Sequence, residues 1–224
     1  MMRRRILALL PAALLLATHG VQAGAYEDFF RALQVDDGAT VANLLRRGFD
    51  PNARTAGGEP ALLLAQREKA RKAVAALLAA PGLQVNAASA KGETALMLAA
   101  LQGDLATARA LIERDADVNQ VGWTPLHYAA SSLGDDAPAV TALLLEHHAY
   151  IDAASPNGTT PLMMAVRYGR PEVARLLVDE GADPAIKNEL GLDALAFAQQ
   201  AKRPDMHELI LQAIRKRQPN PGQW

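Results

Sequence analysis

The sequence Thr124-Pro125-Leu126-His127-Tyr128-Ala129-Ala130 lies near the middle of the 224-residue chain and returns in altered form on both sides. Thr and Pro favour the start of a helix, because the Thr hydroxyl accepts a free backbone N–H and Pro is preset for the first helical position. Copies of this motif begin at residues 60, 94, 124, 160 and 193, so the successive steps are 34, 30, 36 and 33 residues. A period near this length is typical of stacked helical repeats.

The motif and its period resemble those of the ankyrin-repeat family, and the resemblance covers nearly all of the chain after its first 25 residues. It implies an all-α ankyrin-repeat solenoid, in which helix pairs stack and short hairpin loops join them. In that family the motif His closes a hydrogen bond back to the loop. Only His127 keeps it here, so we expect the other copies to rely on apolar packing at the replacing residues, Leu63, Met97, Met163 and Ala196.

The repeat boundaries follow from the motif positions. We expect an N-terminal capping helix pair at 26–54, a C-terminal capping repeat at 188–217 and a disordered tail at 218–224, with four repeats between the caps at about 55–88, 89–119, 120–154 and 155–187. The short step to Thr124 predicts a clipped hairpin at Gln120–Trp123. The long step after it predicts extra residues between the inner and outer helices of that repeat, with Pro138 starting the outer helix.

The first 23 residues have the pattern of a secretory signal peptide. Arg3–Arg5 form a basic head, Ile6–Ala17 is an apolar run, and the small residues after it allow cleavage after Ala23 or Ala25. The apolar run is short for a bilayer span, which makes an uncleaved membrane anchor the weaker alternative. There is no Cys to carry a lipid or a disulfide. We therefore expect an exported bacterial protein of the periplasm, with secretion to the medium as second choice.

Charge and composition argue against several partner classes. The full chain has 23 basic and 24 acidic residues, and removal of a leader with three Arg and no acids leaves 20 against 24, a net charge of −4. Nucleic acids and anionic lipids normally need a basic face, so we expect neither nucleic acid nor, after cleavage, membrane as a partner. The Ala- and Leu-rich composition with 4% aromatic residues favours short packed helices over strands.

Sequence signals for catalysis are weak. His147 and His148 follow Glu146 at a helix end, and Asp135-Asp136 could supply carboxylates, so a metal-dependent enzyme is one alternative. Adjacent residues on a helix do not face one another, however, and His148 occupies the position that Gly181 fills in the next repeat, which predicts a strained helix stop. No serine elbow, phosphate-binding loop or zinc spacing is present. We expect no catalytic residue, metal or cofactor.

A binding surface is the function that the resemblance implies, since ankyrin repeats usually hold partners at hairpin tips and on the exposed ridge of the inner helices. The candidate partner-binding residues at those positions are Lys91, Glu93, Leu101, Gln102, Trp123, Ser131, Ser132, Asn157, Thr159, Arg167, Tyr168, Glu189 and Leu190. Trp, Tyr and Arg most often dominate interfaces, which ranks Trp123, Arg167 and Tyr168 first. For Trp123 the alternative is that it only braces the hairpin.

These observations predict a monomeric, non-enzymatic periplasmic adaptor that binds or protects an exported partner protein through its concave face. An inhibitor or immunity protein for an exported toxic effector would use the same surface and is the alternative. The metal-dependent enzyme is a third, weaker hypothesis.

Overall fold

Helices account for all the regular structure in the described part of the chain. The computed structural model describes the backbone of residues 13–217 and the side chains of residues 24–217, so the predicted tail at 218–224 lies outside it. Within that range no strand forms, and Arg54 and Pro60 make an isolated β-bridge. The predicted all-α class is confirmed. The helices are α1 Ala13–Gln34, α2 Gly38–Arg46, α3 Ala61–Arg67, α4 Arg71–Leu78, α5 Ala95–Gln102, α6 Leu105–Ile112, α7 Pro125–Ala130, α8 Ala137–Glu146, α9 Pro161–Tyr168, α10 Pro171–Asp179, α11 Ala194–Gln200 and α12 Pro204–Arg217.

The first helix overlaps the predicted leader. α1 begins at Ala13 and continues through both predicted cleavage positions to Gln34. Residues 1–12 of the predicted leader lie outside the described residues, and export stays a prediction. Among the helices of residues 13–217, none combines the length and the hydrophobicity that crossing a bilayer requires.

The helices form two layers. The odd-numbered helices, α1 to α11, make an inner row, and the even-numbered helices, α2 to α12, make an outer row. Each inner helix packs on the outer helix that follows it, and within each row every helix contacts the next. The core lies between the rows, where Leu96, Leu126 and Leu162 occupy the same motif position and are buried. Each such side chain contributes about 1.5–3 kcal/mol through burial.

Three of the inner helices, α5, α7 and α9, begin directly after the predicted Thr residues. Thr94 and Thr160 each accept a hydrogen bond at Oγ1 from the backbone N–H three residues on, at 3.4 Å. The expectation that apolar packing alone replaces the motif His is wrong for Met97 and Met163. Their sulfur atoms lie 3.4 Å from the backbone N of Thr94 and of Thr160, because a thioether is a weak acceptor that reaches the same N–H.

The hairpin of the third repeat is clipped, as the step length predicts. Each other hairpin is closed by a side-chain oxygen that accepts a hydrogen bond from the backbone N–H four residues on; these residues are Thr55, Ser89, Ser155 and Asn188. The short connection is held differently, since the Gln120 side-chain amide donates to the Trp123 carbonyl at 2.9 Å. The extra residues of this repeat lie between α7 and α8, and α8 begins at Ala137, one residue before the predicted Pro138.

A row of Asn side chains ties successive repeats together at the far end of the outer helices. In each tie the amide donates to a carbonyl of the next repeat, and the amide oxygen accepts from a backbone N–H two residues further; the Asn residues are Asn52, Asn86 and Asn119. Asn119 binds the carbonyl of His148, whose φ is 64°. The predicted strained helix stop at His148 is therefore confirmed.

Candidate partner-binding groove

A groove runs along the inner helices beside the hairpins, and Trp123 lies at its centre. The clipped hairpin leaves the Trp123 side chain 37% exposed. On one side of it is a hollow of about 240 Å³, and on the other a hollow of about 360 Å³. Trp123 and Met164 belong to the walls of both. The two hollows therefore adjoin across these two side chains, and we call them together the Trp123 groove.

The smaller hollow is mainly apolar. Its walls are Leu101, Trp123, His127, Tyr128, Ser131 and Met164. Leu101 is 41% exposed although it is a large aliphatic residue, and the Ser131 hydroxyl is engaged by the His127 carbonyl at 2.9 Å. The Trp123 ring stands edge-on to the His127 ring, with centroids 5.2 Å apart. This hollow can bury an apolar side chain and offers few free polar groups.

The larger hollow contains a cation held by aromatic rings. The Arg167 guanidinium lies 5.1 Å from the centroid of Tyr168 and 5.7 Å from that of Phe197. No carboxylate of residues 24–217 lies within ion-pair distance of Arg167. Leu190, which is 76% exposed, contributes an apolar edge to the same hollow. Arg167 therefore keeps hydrogen-bond donors for a ligand.

The opposite border of the groove is acidic. Arg67 pairs with Glu59 at 2.9 Å and with Glu93 at 3.4 Å, so one cation is shared by two carboxylates. Burial first, and then the charge of neighbouring Glu93, raise the pKa of Tyr128 above its usual 10.0. The charge along the groove thus changes from negative near α3 to positive near α9.

His127 supports the floor of the groove. It is 1% exposed, and its Nδ1 lies 3.2 Å from the Thr124 backbone N and 2.9 Å from the Thr124 hydroxyl. A backbone N–H can only donate, so Nδ1 accepts, and Nε2 carries the proton that it donates to the Thr159 carbonyl at 2.9 Å. Burial lowers the pKa of His127 below its usual 6.5. The imidazole is a neutral structural link between the third and fourth repeats.

Eight of the predicted partner-binding residues come together in the walls of the groove. They are Leu101, Trp123, Ser131, Asn157, Thr159, Arg167, Tyr168 and Leu190. Four other predicted residues remain at the surface without joining the groove walls. Lys91 and Glu189 are exposed at hairpin tips, Glu93 is engaged by Arg67, and Gln102 exchanges hydrogen bonds with Gln66 at 2.8 Å.

Two predicted contact residues are corrected by their burial. Ser132 has no exposed surface, because it lies beyond the end of α7 and its hydroxyl accepts from the Gly134 N–H at 3.1 Å. Thr159 contributes to a wall of the larger hollow but is only 3% exposed, since it is drawn in by the hairpin closure at Ser155. Neither side chain is available to a partner.

Sequence reasoning missed several residues of the groove walls, and three of them, Tyr128, Met164 and Phe197, share one motif position. Each lies four residues after the first residue of its motif copy, at Thr124, Thr160 and Asp193. Residues four apart share a face of a helix, so these side chains stand one turn before the ridge positions that the sequence did identify. Counting back one turn from Tyr168 would have found Met164.

The residues of the alternative metal site do not meet. Asp135 and the two histidines flank opposite ends of α8, which at ten residues spans about 15 Å. Asp135 pairs with Arg170 at 2.8 Å. Among residues 24–217 no group of three or more His, Cys, Asp or Glu is arranged to hold a metal ion.

Comparison with known proteins agrees with the fold. The family described as ankyrin repeats (3 copies) matches residues 29–121, 65–155 and 126–220. The chain belongs to the ankyrin-repeat family.

Several relatives share only part of their length with this chain. The putative ankyrin repeat-containing protein of Treponema pallidum (strain Nichols) is 30% identical over 189 residues, which are 83% of this chain and 51% of that protein. The neurogenic locus notch homolog protein 1 of Mus musculus is 35% identical over 108 residues, which are 46% of this chain and 4% of that protein. The chain thus spans a small segment of Notch and about half of the Treponema protein.

A solved structure matches over a greater share of its length. It is one chain of the Bd0816 predatory endopeptidase from Bdellovibrio bacteriovorus in complex with the immunity protein Bd3460. The TM-score is 0.71 at 27% sequence identity, and the match covers 83% of this chain and 97% of that one.

Proposed function

We propose that this protein is a non-enzymatic interaction module that holds an exported partner protein in the Trp123 groove. The observation that carries the proposal is the exposure of Trp123 between two hollows, one apolar and one containing the unpaired Arg167. Trp, Tyr and Arg side chains that become buried on binding are the residues that most often supply the binding energy of protein interfaces. The leader-like first 23 residues and the absence of Cys support a periplasmic location.

The test is affinity capture of partners from a periplasmic extract of the source cells. The bait is compared with a triple variant, Trp123→Ala, Arg167→Ala and Tyr168→Ala. A control variant, Tyr150→Ala with Arg175→Ala, removes an exposed Tyr and an exposed Arg that lie outside the groove. The proposal predicts one protein that is enriched by the native and control baits and lost with the triple variant. Equal capture by all three baits would place the interface elsewhere.

A second candidate function is inhibition of an exported effector by the same groove. It is favoured by the similarity to a chain from a complex between an endopeptidase and an immunity protein. An inhibitor would cover the active site of its partner, whereas an adaptor would leave it open. The captured partner should therefore be assayed for hydrolysis with and without an equimolar amount of this protein. If the native protein abolishes hydrolysis by the partner and the triple variant does not, the protein is an inhibitor. If the partner stays fully active in the complex, the protein is an adaptor.

A further inference from the structure

We propose that the occupant of the Trp123 groove is an extended peptide segment with a defined pair of side chains: an apolar one that enters the smaller hollow and a carboxylate that binds Arg167. This inference rests on the proposed function and adds the chemistry of the partner. Two neighbouring features of the groove support this inference: the ring contacts that position Arg167, and the apolar walls of the smaller hollow on the other side of Trp123.

Arg167 is positioned to bind a carboxylate. Its guanidinium is held beside the rings of Tyr168 and Phe197, at 5.1 and 5.7 Å from their centroids, while no carboxylate of residues 24–217 neutralises it. Stacking on rings leaves the edge of the planar group, with its N–H donors, directed away from them. Because these ring contacts restrict the guanidinium, a bidentate bond from it to a carboxylate loses less side-chain entropy than a bond from an unrestrained Arg.

The smaller hollow selects an apolar side chain beside that carboxylate. Leu101, Trp123 and Met164 line it, and its volume of about 240 Å³ exceeds what one aliphatic or aromatic side chain needs. Met adapts its shape to different neighbours, and Trp123 belongs to both hollows. An apolar side chain and a carboxylate on either side of Trp123 therefore have to lie close together in the partner chain.

The charge of the groove determines which end of it receives the carboxylate. The Glu59–Arg67–Glu93 cluster at the α3 end has one cation for two carboxylates and repels an acidic group. The α9 end presents the unpaired Arg167, so the carboxylate lies there and the apolar residue lies toward α5. A nucleic acid would meet the acidic border along the same path and does not fit this pattern.

The experiment uses the full chain and a phage-displayed library of random dodecapeptides. The selected peptides should share Asp or Glu at a constant spacing from a large apolar residue. In calorimetry with a resynthesised peptide, Arg167→Ala should weaken binding by about tenfold or more, and replacement of the peptide acid by its amide should do the same. Combining both changes should cost little more than either alone, because they remove the same bond. Arg175→Ala, an exposed Arg on α10, should leave the affinity unchanged.

The outcomes separate this inference from the proposed function. A consensus without an acidic residue, or peptides that need Trp123 but bind Arg167→Ala normally, would overturn the carboxylate inference and leave the groove as the binding site. Peptides that bind Trp123→Ala as tightly as the native chain would overturn the proposed function itself. Failure to enrich any shared sequence would overturn the inference, because it requires a short segment to be sufficient for binding.

Discussion

Replacing His127 by Met tests how the motif His stabilises the stack. The native His127 accepts from the Thr124 N–H through Nδ1 and donates through Nε2 to the Thr159 carbonyl of the next repeat. Met97 and Met163 occupy the same motif position in other repeats and place sulfur 3.4 Å from the equivalent backbone N. His127→Met should therefore keep the bond to Thr124 and lose only the link between repeats.

The expected loss is modest at alkaline pH. The Thr159 carbonyl also accepts from the Ser155 N–H at 3.0 Å, so the substitution removes one of its two hydrogen bonds and leaves it satisfied. Removal of one such bond lowers the free energy of unfolding by about 1 kcal/mol. His127→Ala also leaves the Thr124 N–H without its partner and opens a cavity, and should cost about 3 kcal/mol.

The difference between native protein and His127→Met should depend on pH with a definite sign. Burial lowers the pKa of His127 in the folded protein, while the unfolded chain titrates at 6.5. The unfolded state therefore takes up a proton that the folded state does not, and the His contribution is complete above pH 6.5 and declines as the pH falls toward the folded pKa. The decline is at most about 1.4 kcal/mol per pH unit. The Met variant has no such group at this position.

Chemical denaturation followed by helical circular dichroism measures these free energies between about pH 8 and pH 5. The native protein should be the more stable at pH 8, and its advantage should shrink or reverse at pH 5. A difference that is constant over this range would refute the neutral, buried state of His127. A loss for His127→Met as large as for His127→Ala would refute the view that sulfur replaces Nδ1.

Three further predictions concern the stack. Gly169→Ala should lower the free energy of unfolding by about 3 kcal/mol, since the added Cβ would lie 2.0 Å from the Ala130 carbonyl oxygen. The control Gly57→Ala adds a Cβ that meets only ordinary van der Waals contacts and should leave stability unchanged. His148→Gly should raise the free energy of unfolding by about 1 kcal/mol, because Gly adopts a φ of 64° without strain. An unchanged free energy of unfolding would mean that the turn is not strained. Deleting 188–217 removes α11 and α12, exposes the core of the fourth repeat, and should cause aggregation on size-exclusion chromatography.

The fold was predictable because its signals are local and recur. Thr and Pro at the motif start set the first turn of α7 and of α9, and the spacing between copies predicted the clipped hairpin at Gln120–Trp123 directly. The strained stop at His148 followed from its alignment with Gly181. These features depend on a few neighbouring residues, so their position in the sequence is enough to identify them.

The groove was less predictable because its walls depend on contacts between repeats. Ser132 follows the end of a shortened inner helix, and only the path of the inserted loop shows that it turns inward. Tyr128 and Met164 belong to a motif whose residues are mostly buried, so sequence reasoning did not place them among the binding residues. Their exposure arises from the missing hairpin residues of the repeat that contains Trp123, which is a property of the assembled stack.

Photo-crosslinking in the source cells tests the Trp123 groove most directly. A benzophenone amino acid replaces Tyr168, which lies in the groove and is 50% exposed, or Tyr150, which lies outside it and is 69% exposed. Both positions carry an exposed Tyr, so their substitution is matched in size and accessibility. A crosslinked partner is expected from position 168 and none from position 150. A partner captured from position 150 alone, or equally from both, would show that the Trp123 groove is not the binding surface.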